Sequence, residues 1–419
     1  MDLSIFDEFE SNVRSYVRSF PVVFAKADGV VLTDEDGSEY LDFLSGAGTL
    51  NYGHNNPILQ VALIEYLQSG GVTHGLDLAT VAKRQFIETF SRLILKPRGL
   101  DYKLQFTGPT GANAVEAALK LARMSTGRSE VVAFTHAFHG VSVGALATTA
   151  NRKFRDAAGV PLGNVTFVPY DGYVDASFDS IRYLERLLGD PSSGLDRPAA
   201  VIVETIQGEG GVNVARVEWL RALSELCIRE GIVLIVDDIQ VGCGRTGTFF
   251  SFEQFGIVPD IVILSKSLSG YGLPMSLVLM RRELDIWKPG SHSGTFRGNN
   301  LAFVGATVAL ETYWSDSAFS ERVLSLGEVV KERLERIAAR HSASGLVVRG
   351  RGMIWGIVSE THPDIAKRVS EEAFTRGLII ETSGAYGEVL KLLSPLTISD
   401  EELERGLAII EQSFDVVLA

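Results

Sequence analysis

Between Leu234 and Gly270 the chain reads LIVDDIQVGCGRTG (234–247), a short connection with helical spacing, and then DIVILSKSLSG (260–270). The apolar runs 232–236 and 261–264 show no polar alternation, the pattern of strands in a parallel sheet covered on both faces. The first run ends in Asp237 and Asp238, the second in Ser265 and Lys266. In such sheets ligands bind beyond the carboxyl ends of the strands. An acid and an amine delivered there by two strands face one crevice, and the fold class predicted is α/β.

A lysine at the mouth of a buried sheet loses hydration, which favours its neutral amine and suits Lys266 to imine formation with an aldehyde. An aspartate in the same crevice can keep a ring nitrogen protonated. At about 4 Å and an effective dielectric of about 20, such a pair is worth about 4 kcal/mol before desolvation. That is up to about three pKa units on the ring nitrogen. The two residues together describe pyridoxal 5'-phosphate (PLP), with Lys266 as its covalent anchor and Asp237 as the partner that keeps the ring an electron sink. Upstream, a strand over 102–107 passes through Gly108-Pro-Thr-Gly-Ala-Asn113 into a helix predicted over 114–124. Strand, small-residue turn and helix present free amide N–H groups and the positive helix end to a phosphate. A further strand, 199–203, runs into Glu204 and Glu209 in a glycine turn, adding acids that suit an amine-bearing substrate.

These motifs resemble those of the class III aminotransferases of PLP fold type I. Asp237-Asp238-Ile239-Gln240, then Gly244-Arg245-Thr246-Gly247, then Ser265-Lys266 follow that family's order, with acid and lysine 29 residues apart. The resemblance runs the length of the chain. It implies a large domain with a mostly parallel central sheet plus a small αβ domain: 58–300 as the PLP-binding domain, 1–57 and 301–419 as the two parts of the small one. It also implies roles. Gln240 would bond the cofactor's phenolic oxygen and Ile239 would pack on its ring. Phe138, in Phe138-His139-Gly140, would stack on the exposed ring face with His139 beside it. Thr110, Gly111 and Ala112, where the family has Ser-Gly-Ala, would hold the phosphate. Thr295, in Gly294-Thr295-Phe296-Arg297-Gly298-Asn299, would reach the phosphate of a neighbouring subunit, so that sites are shared in a homodimer or larger assembly. Glu209 would be the counterpart of a gate that in the family pairs with an arginine and swings aside for 2-oxo acids, and the loop 45–57 a wall on the substrate side. Two positions depart from the pattern. Thr205 stands where proline is usual, and Lys391 where many members carry an arginine for the α-carboxylate; a lysine cannot make the arginine's bidentate fork.

Longer stretches resemble one branch of the family more closely: SGAGTLNYGHNNP (45–57), ILKPRGLDYKLQFTGPTGANAVEAALKLAR (94–123), VDDIQVGCGRTGTFFSFE (236–253) and LSKSLSGYGLPM (264–275). That branch moves the amino group of glutamate to aspartate 4-semialdehyde, giving 2,4-diaminobutyrate and 2-oxoglutarate at the first step of ectoine biosynthesis. Ornithine, acetylornithine and 4-aminobutyrate transaminases, non-transaminating PLP enzymes of the same fold, and a catalytically silent PLP-binding regulator stand as alternatives.

Composition agrees with a globular enzyme. The 419 residues, 46% apolar, can bury a large core in two or three domains. A net charge of −13 argues against nucleic acid or an anionic membrane as partner. No run approaches the ~18 apolar residues of a spanning helix, and the start Met1-Asp-Leu-Ser4 does not read as a signal peptide. Two cysteines, Cys227 and Cys243, make no disulfide framework, which fits a cytoplasmic location. No metal is expected, because His136 and His139 lack a third ligand at a recognisable spacing. The run Gly242–Gly247 fits the dinucleotide pattern GxGxxG, but two carboxylates stand where a pyrophosphate would approach, so that reading is set aside.

Elsewhere the pattern predicts a helix over 5–20 and a hairpin of strands 30–32 and 40–43. Long helices follow over 301–314 and 319–340, then short strands at 346–348, 353–358, 378–380 and 390–393, and a closing helix from 399.

Overall fold

The apolar runs that lead to Asp237 and Lys266 lie side by side and parallel in a computed structural model that describes residues 2–359 and 361–419. Among the described residues their sheet has seven strands: β1 (Tyr102–Phe106), β2 (Val131–Phe134), β3 (Val165–Val168), β4 (Ala200–Val203), β5 (Val233–Asp237), β6 (Ile261–Leu264) and β7 (Leu277–Arg281). The order is β1-β7-β6-β5-β4-β2-β3. Neighbours from β6 across to β3 are parallel, while β7 is reversed against both β6 and β1. Because side chains alternate across a strand, the sheet feeds two cores. Val132, Val201, Leu234 and Val262 join Phe86, Trp219 and Phe303 on one face. Val131, Ala200, Ile235 and Ile261 join α1 (Gly111–Thr126) on the other.

Helix α1 begins three residues earlier than its apolar spacing predicts. Thr110 caps it, its Oγ1 accepting the Asn113 N–H at 3.2 Å, and Gly127 ends it in a left-handed conformation at φ +68°.

A second, antiparallel sheet consists of β8 (Leu346–Arg351), β9 (Ile354–Ser359), β10 (Glu381–Ser383) and β11 (Val389–Leu392), in the order β8-β9-β11-β10. Its core takes the predicted seam Val323, Leu326, Val330, Leu334 and Ile337 of the helix Ala318–Arg340. Val30, Leu41 and Phe43 from the start of the chain enter the same core, where strand Glu39–Asp42 pairs parallel with Leu378–Ile379. The N-terminal part departs from the sequence reading in two ways. The helix expected over 5–20 is two short ones, Ser4–Phe9 and Tyr16–Ser19, because neither has a buried face and Ser11 Oγ takes the Val13 N–H between them. The expected hairpin gains a third strand, Phe24–Asp28. No helix among the described residues is long and apolar enough to cross a membrane.

The glycine run 242–247 opens no helix. Gly244 and Gly247 take φ of +95° and +100° and press against Trp314 and Leu324, where a Cβ would come within 2.5 and 2.4 Å. Between them Arg245 is wholly buried. Its guanidinium donates to Met353 O at 3.0 Å, Ser394 O at 2.5 Å and Asn51 Oδ1 at 2.6 Å, tying three distant segments to the end of the central sheet. Burial pulls its pKa down to about 9. A lysine keeps the charge but cannot reach three divergent acceptors. Arg245→Lys is therefore expected to cost about 3 kcal/mol, seen as a lower urea midpoint followed by tryptophan fluorescence. An unchanged midpoint would show that the clamp is dispensable.

Candidate active site

At the carboxyl ends of β4, β5 and β6 lies a cavity of about 190 Å³. Strand β5 delivers Asp237, 4% exposed, to its floor. Asp237 Oδ2 is 2.7 Å from His139 Nδ1, and Oδ1 accepts the Ile239 N–H at 3.1 Å. His139 follows β2, and its backbone N–H donates to Thr149 Oγ1 at 2.9 Å. Its Nε2 is buried without a hydrogen-bond partner among the described residues.

Lys266, just after β6, holds φ at +46°, a conformation that costs a non-glycine residue about 1–3 kcal/mol. Its Nζ donates to Ala47 O at 2.9 Å, which brings the loop 45–57 to the site. Burial lowers the pKa of its amine, with Glu209 acting in the opposite sense.

The two acids after β4 behave differently. Glu204 Oε2 accepts the Phe138 N–H at 3.0 Å, and burial, reinforced by nearby Asp237, pushes its carboxyl well above the usual range. Glu209 Oε1 accepts from Lys391 Nζ at 2.6 Å and Gln240 Nε2 at 2.9 Å. Burial alone would raise Glu209, but Lys391 and Lys266 outweigh it and hold the carboxyl at about 2. The surroundings thus oppose a negative charge on Glu204 and favour one on Glu209, where the sequence suggested the same for both.

Lys391, on β11, is wholly buried. Burial works against its ammonium, yet Glu209 and then Glu381 lift its pKa above the ordinary value. Glu381 lies directly opposite on β10, its Oε1 3.1 Å from Lys391 Nζ, and Tyr16 donates its hydroxyl to Glu381 Oε2 at 3.2 Å. Sequence reasoning missed both Glu381 and Tyr16. The signal lay in the hairpin: strands either side of the Gly384–Gly387 turn put residue 381 across from residue 391.

The donor set fits a phosphorylated pyridine aldehyde. Phe138 and Ile239 both line the cavity, with the Asp237 carboxylate at its floor and the Lys266 amine at its edge. The turn into α1 also borders it: a Cβ on Gly111 would come within 2.9 Å of Ile239 Cδ1, and one on Gly140 within 2.7 Å of Ala112 Cβ. The amides of Gly111 and Ala112 open α1, ahead of its intrahelical bonds, where an anion is favoured. Of the other residues singled out in the sequence, Gln240 directs its amide to Ala47 O and Glu209, Thr110 caps α1 outside the lining, Lys391 sits behind Glu209, and Thr295 is exposed.

The description Aminotransferase class-III matches residues 13–414. The diaminobutyrate--2-oxoglutarate transaminase of Bordetella parapertussis is 66% identical over 413 residues, covering 99% of this chain and 95% of that protein. The enzyme of the same name from Halomonas elongata is 59% identical over 416 residues, covering 99% of each. Among solved structures, the ornithine aminotransferase from Toxoplasma gondii matches with a TM-score of 0.85 at 29% identity, over 99% of this chain and 94% of that one. A Bacillus anthracis aminotransferase matches with 0.87 at 25%, over 99% and 98%. The fold, the lysine and aspartate at adjacent strand ends, and these likenesses lead to one conclusion: the chain belongs to the class-III aminotransferases, which depend on pyridoxal 5'-phosphate.

Proposed function

We propose that this aminotransferase moves the amino group of L-glutamate to L-aspartate 4-semialdehyde, giving L-2,4-diaminobutyrate and 2-oxoglutarate. The observation that carries the substrate assignment is the 59–66% identity, along nearly the whole chain, to proteins bearing the name diaminobutyrate--2-oxoglutarate transaminase. The holoenzyme is expected to show a higher kcat/KM for diaminobutyrate than for ornithine, lysine or 4-aminobutyrate in a coupled assay; preference for another donor overturns the assignment.

When bound, PLP supplies the aldehyde that takes up an amine and the electron sink that acidifies the adjacent C–H bond. The chain's residues do the rest. Asp237, fixed by His139, would hold a proton at the ring nitrogen. Phe138 and Ile239 would shield the ring from water, while the amides of Gly111 and Ala112, with Thr110 beside them, would hold the phosphate. Lys266 Nζ, desolvated and easily deprotonated, would take a proton from the substrate carbon and deliver it two bonds away, across the nitrogen being transferred. Thr295, exposed on its own chain, serves the phosphate site of a second copy in a homodimer.

Glutamate and diaminobutyrate make opposite demands on one pocket, since one brings a second carboxylate and the other a second ammonium. In our reading Glu209 stays on Lys391 while diaminobutyrate reacts, then moves so that Lys391 meets the carboxylate of glutamate or 2-oxoglutarate. Lys391→Met should lower kcat/KM for glutamate by about ten- to 150-fold, as for a lost charged hydrogen bond, and spare diaminobutyrate in single-turnover half-reactions. Equal losses would leave Lys391 a structural role only. Borohydride treatment of the holoenzyme followed by peptide mapping should place the pyridoxyl group on Lys266; a label elsewhere removes that residue from its role.

A further inference from the structure

Three charges, not two, stand behind the cavity wall. Lys391 Nζ lies 2.6 Å from Glu209 Oε1 and 3.1 Å from Glu381 Oε1. A glutamate–lysine pair presents no net charge to a ligand, whereas two carboxylates on one ammonium leave a surplus of −1. That surplus falls on Glu209, the member of the three that lines the cavity. Glu381 and Lys391 face each other across β10 and β11 and are 6% and 0% exposed; burial pushes the Glu381 carboxyl up while Lys391 opposes it, so the two compensate each other inside the protein.

Glu381 is not explained by stability. A buried carboxylate is costly unless fully satisfied, and Lys391 already has a counter-ion in Glu209. Moreover, Glu381 Oε1 makes no aligned hydrogen bond among the described residues, so its tie to Lys391 is one of charge rather than geometry. The other acids of the cavity are committed elsewhere: Asp237 to His139, Glu204 to the Phe138 amide.

We propose that Glu381 is a positioning residue that sets donor specificity: by neutralising Lys391 it leaves Glu209 as a net negative charge facing the α-ammonium of a diamino acid. The inference rests on the reading above, in which the donor is diaminobutyrate. The discriminating comparison is 4-aminobutyrate, which matches diaminobutyrate except that it lacks this ammonium.

Glu381→Gln keeps the shape and removes the charge, leaving a neutral Glu209–Lys391 pair. In the half-reaction of the holoenzyme with each donor, the kcat/KM ratio of diaminobutyrate to 4-aminobutyrate should fall by about tenfold or more. Removing the lysine charge as well, in Glu381→Gln with Lys391→Met, leaves Glu209 as the one acid of the three, with Lys266 still opposing its burial, and should move the ratio back up. The Kd ratio of the two amines for the Lys266→Ala protein, which cannot turn over, should move the same way in both backgrounds. A ratio unchanged in Glu381→Gln, equal losses for both donors, or no recovery in the double variant each overturns the proposal, because a merely structural glutamate predicts no charge-dependent rescue. Should Glu381→Gln not fold, Lys391→Met against the double variant reads the same charge, and a ratio no higher in Lys391→Met overturns the idea. Failure of the proposed function shows separately, as a wild-type enzyme that prefers another diamine such as ornithine. The ratio is then read on that donor and the analogue lacking its α-ammonium.

Discussion

A carboxylate at the end of a strand buried on both faces has no water to satisfy it, and the 2.7 Å bond between His139 and Asp237 is what allows β5 to end in an acid. Much of the site follows from that bond. His139 can reach Asp237 only if the loop after β2 lies close against α1, and Gly140, at φ +123°, permits the approach that any side chain would block. The same loop places Phe138, whose amide is bonded to Glu204 at the end of β4. Three neighbouring strand ends are thus linked by side chains beyond their last backbone bonds. Side-chain bonds of this kind hold polar groups in set directions, which is what electrostatic preorganisation requires.

Most of this was legible in the sequence because the constraint is local. Strands covered on both faces have continuous apolar runs, and a charge can follow only at their ends, so Asp237 and Lys266 mark themselves. What the sequence hid depended on register or on burial. The helix expected over 5–20 failed because neither of its two helical pieces buries a face, and Ser11 offered the backbone an alternative bond. Glu204 and Glu209 look alike in a string of letters, but burial and then Asp237 push one carboxyl up, while an ammonium outweighs burial and pulls the other down. Glu381 was invisible because the strand reading stopped at residue 380. One residue more would have paired it with Lys391 across the turn.

The strained backbone at Lys266 fits the same picture. A residue at φ +46° is held there by its surroundings, with Ser265 Oγ bonded to Met275 O and Ser267 Oγ to Gly48 O on either side. These contacts fix the direction of the amine by its neighbours rather than by its own long side chain, whose rotamer freedom would otherwise blur the reacting geometry.

The lysine at position 391 and the unforeseen Glu381 are a single feature. An arginine there would lay its planar fork along one carboxylate, using two donors in a fixed direction. An ammonium is a compact point with three rotatable donors, and it can be shared by carboxylates that approach from different sides. The geometry shows that sharing: 2.6 Å to Glu209 from the central domain's loop and 3.1 Å to Glu381 from the adjacent strand. Substituting lysine for arginine therefore does more than weaken a grip on a substrate carboxylate. It makes room for a second buried acid, Glu381, beside Glu209 on the same cation. Under the proposed gating, the charge of the pocket depends on one carboxylate moving against a fixed lysine–glutamate pair, an arrangement by which a single cavity can meet an extra ammonium in one half of a reaction and an extra carboxylate in the other.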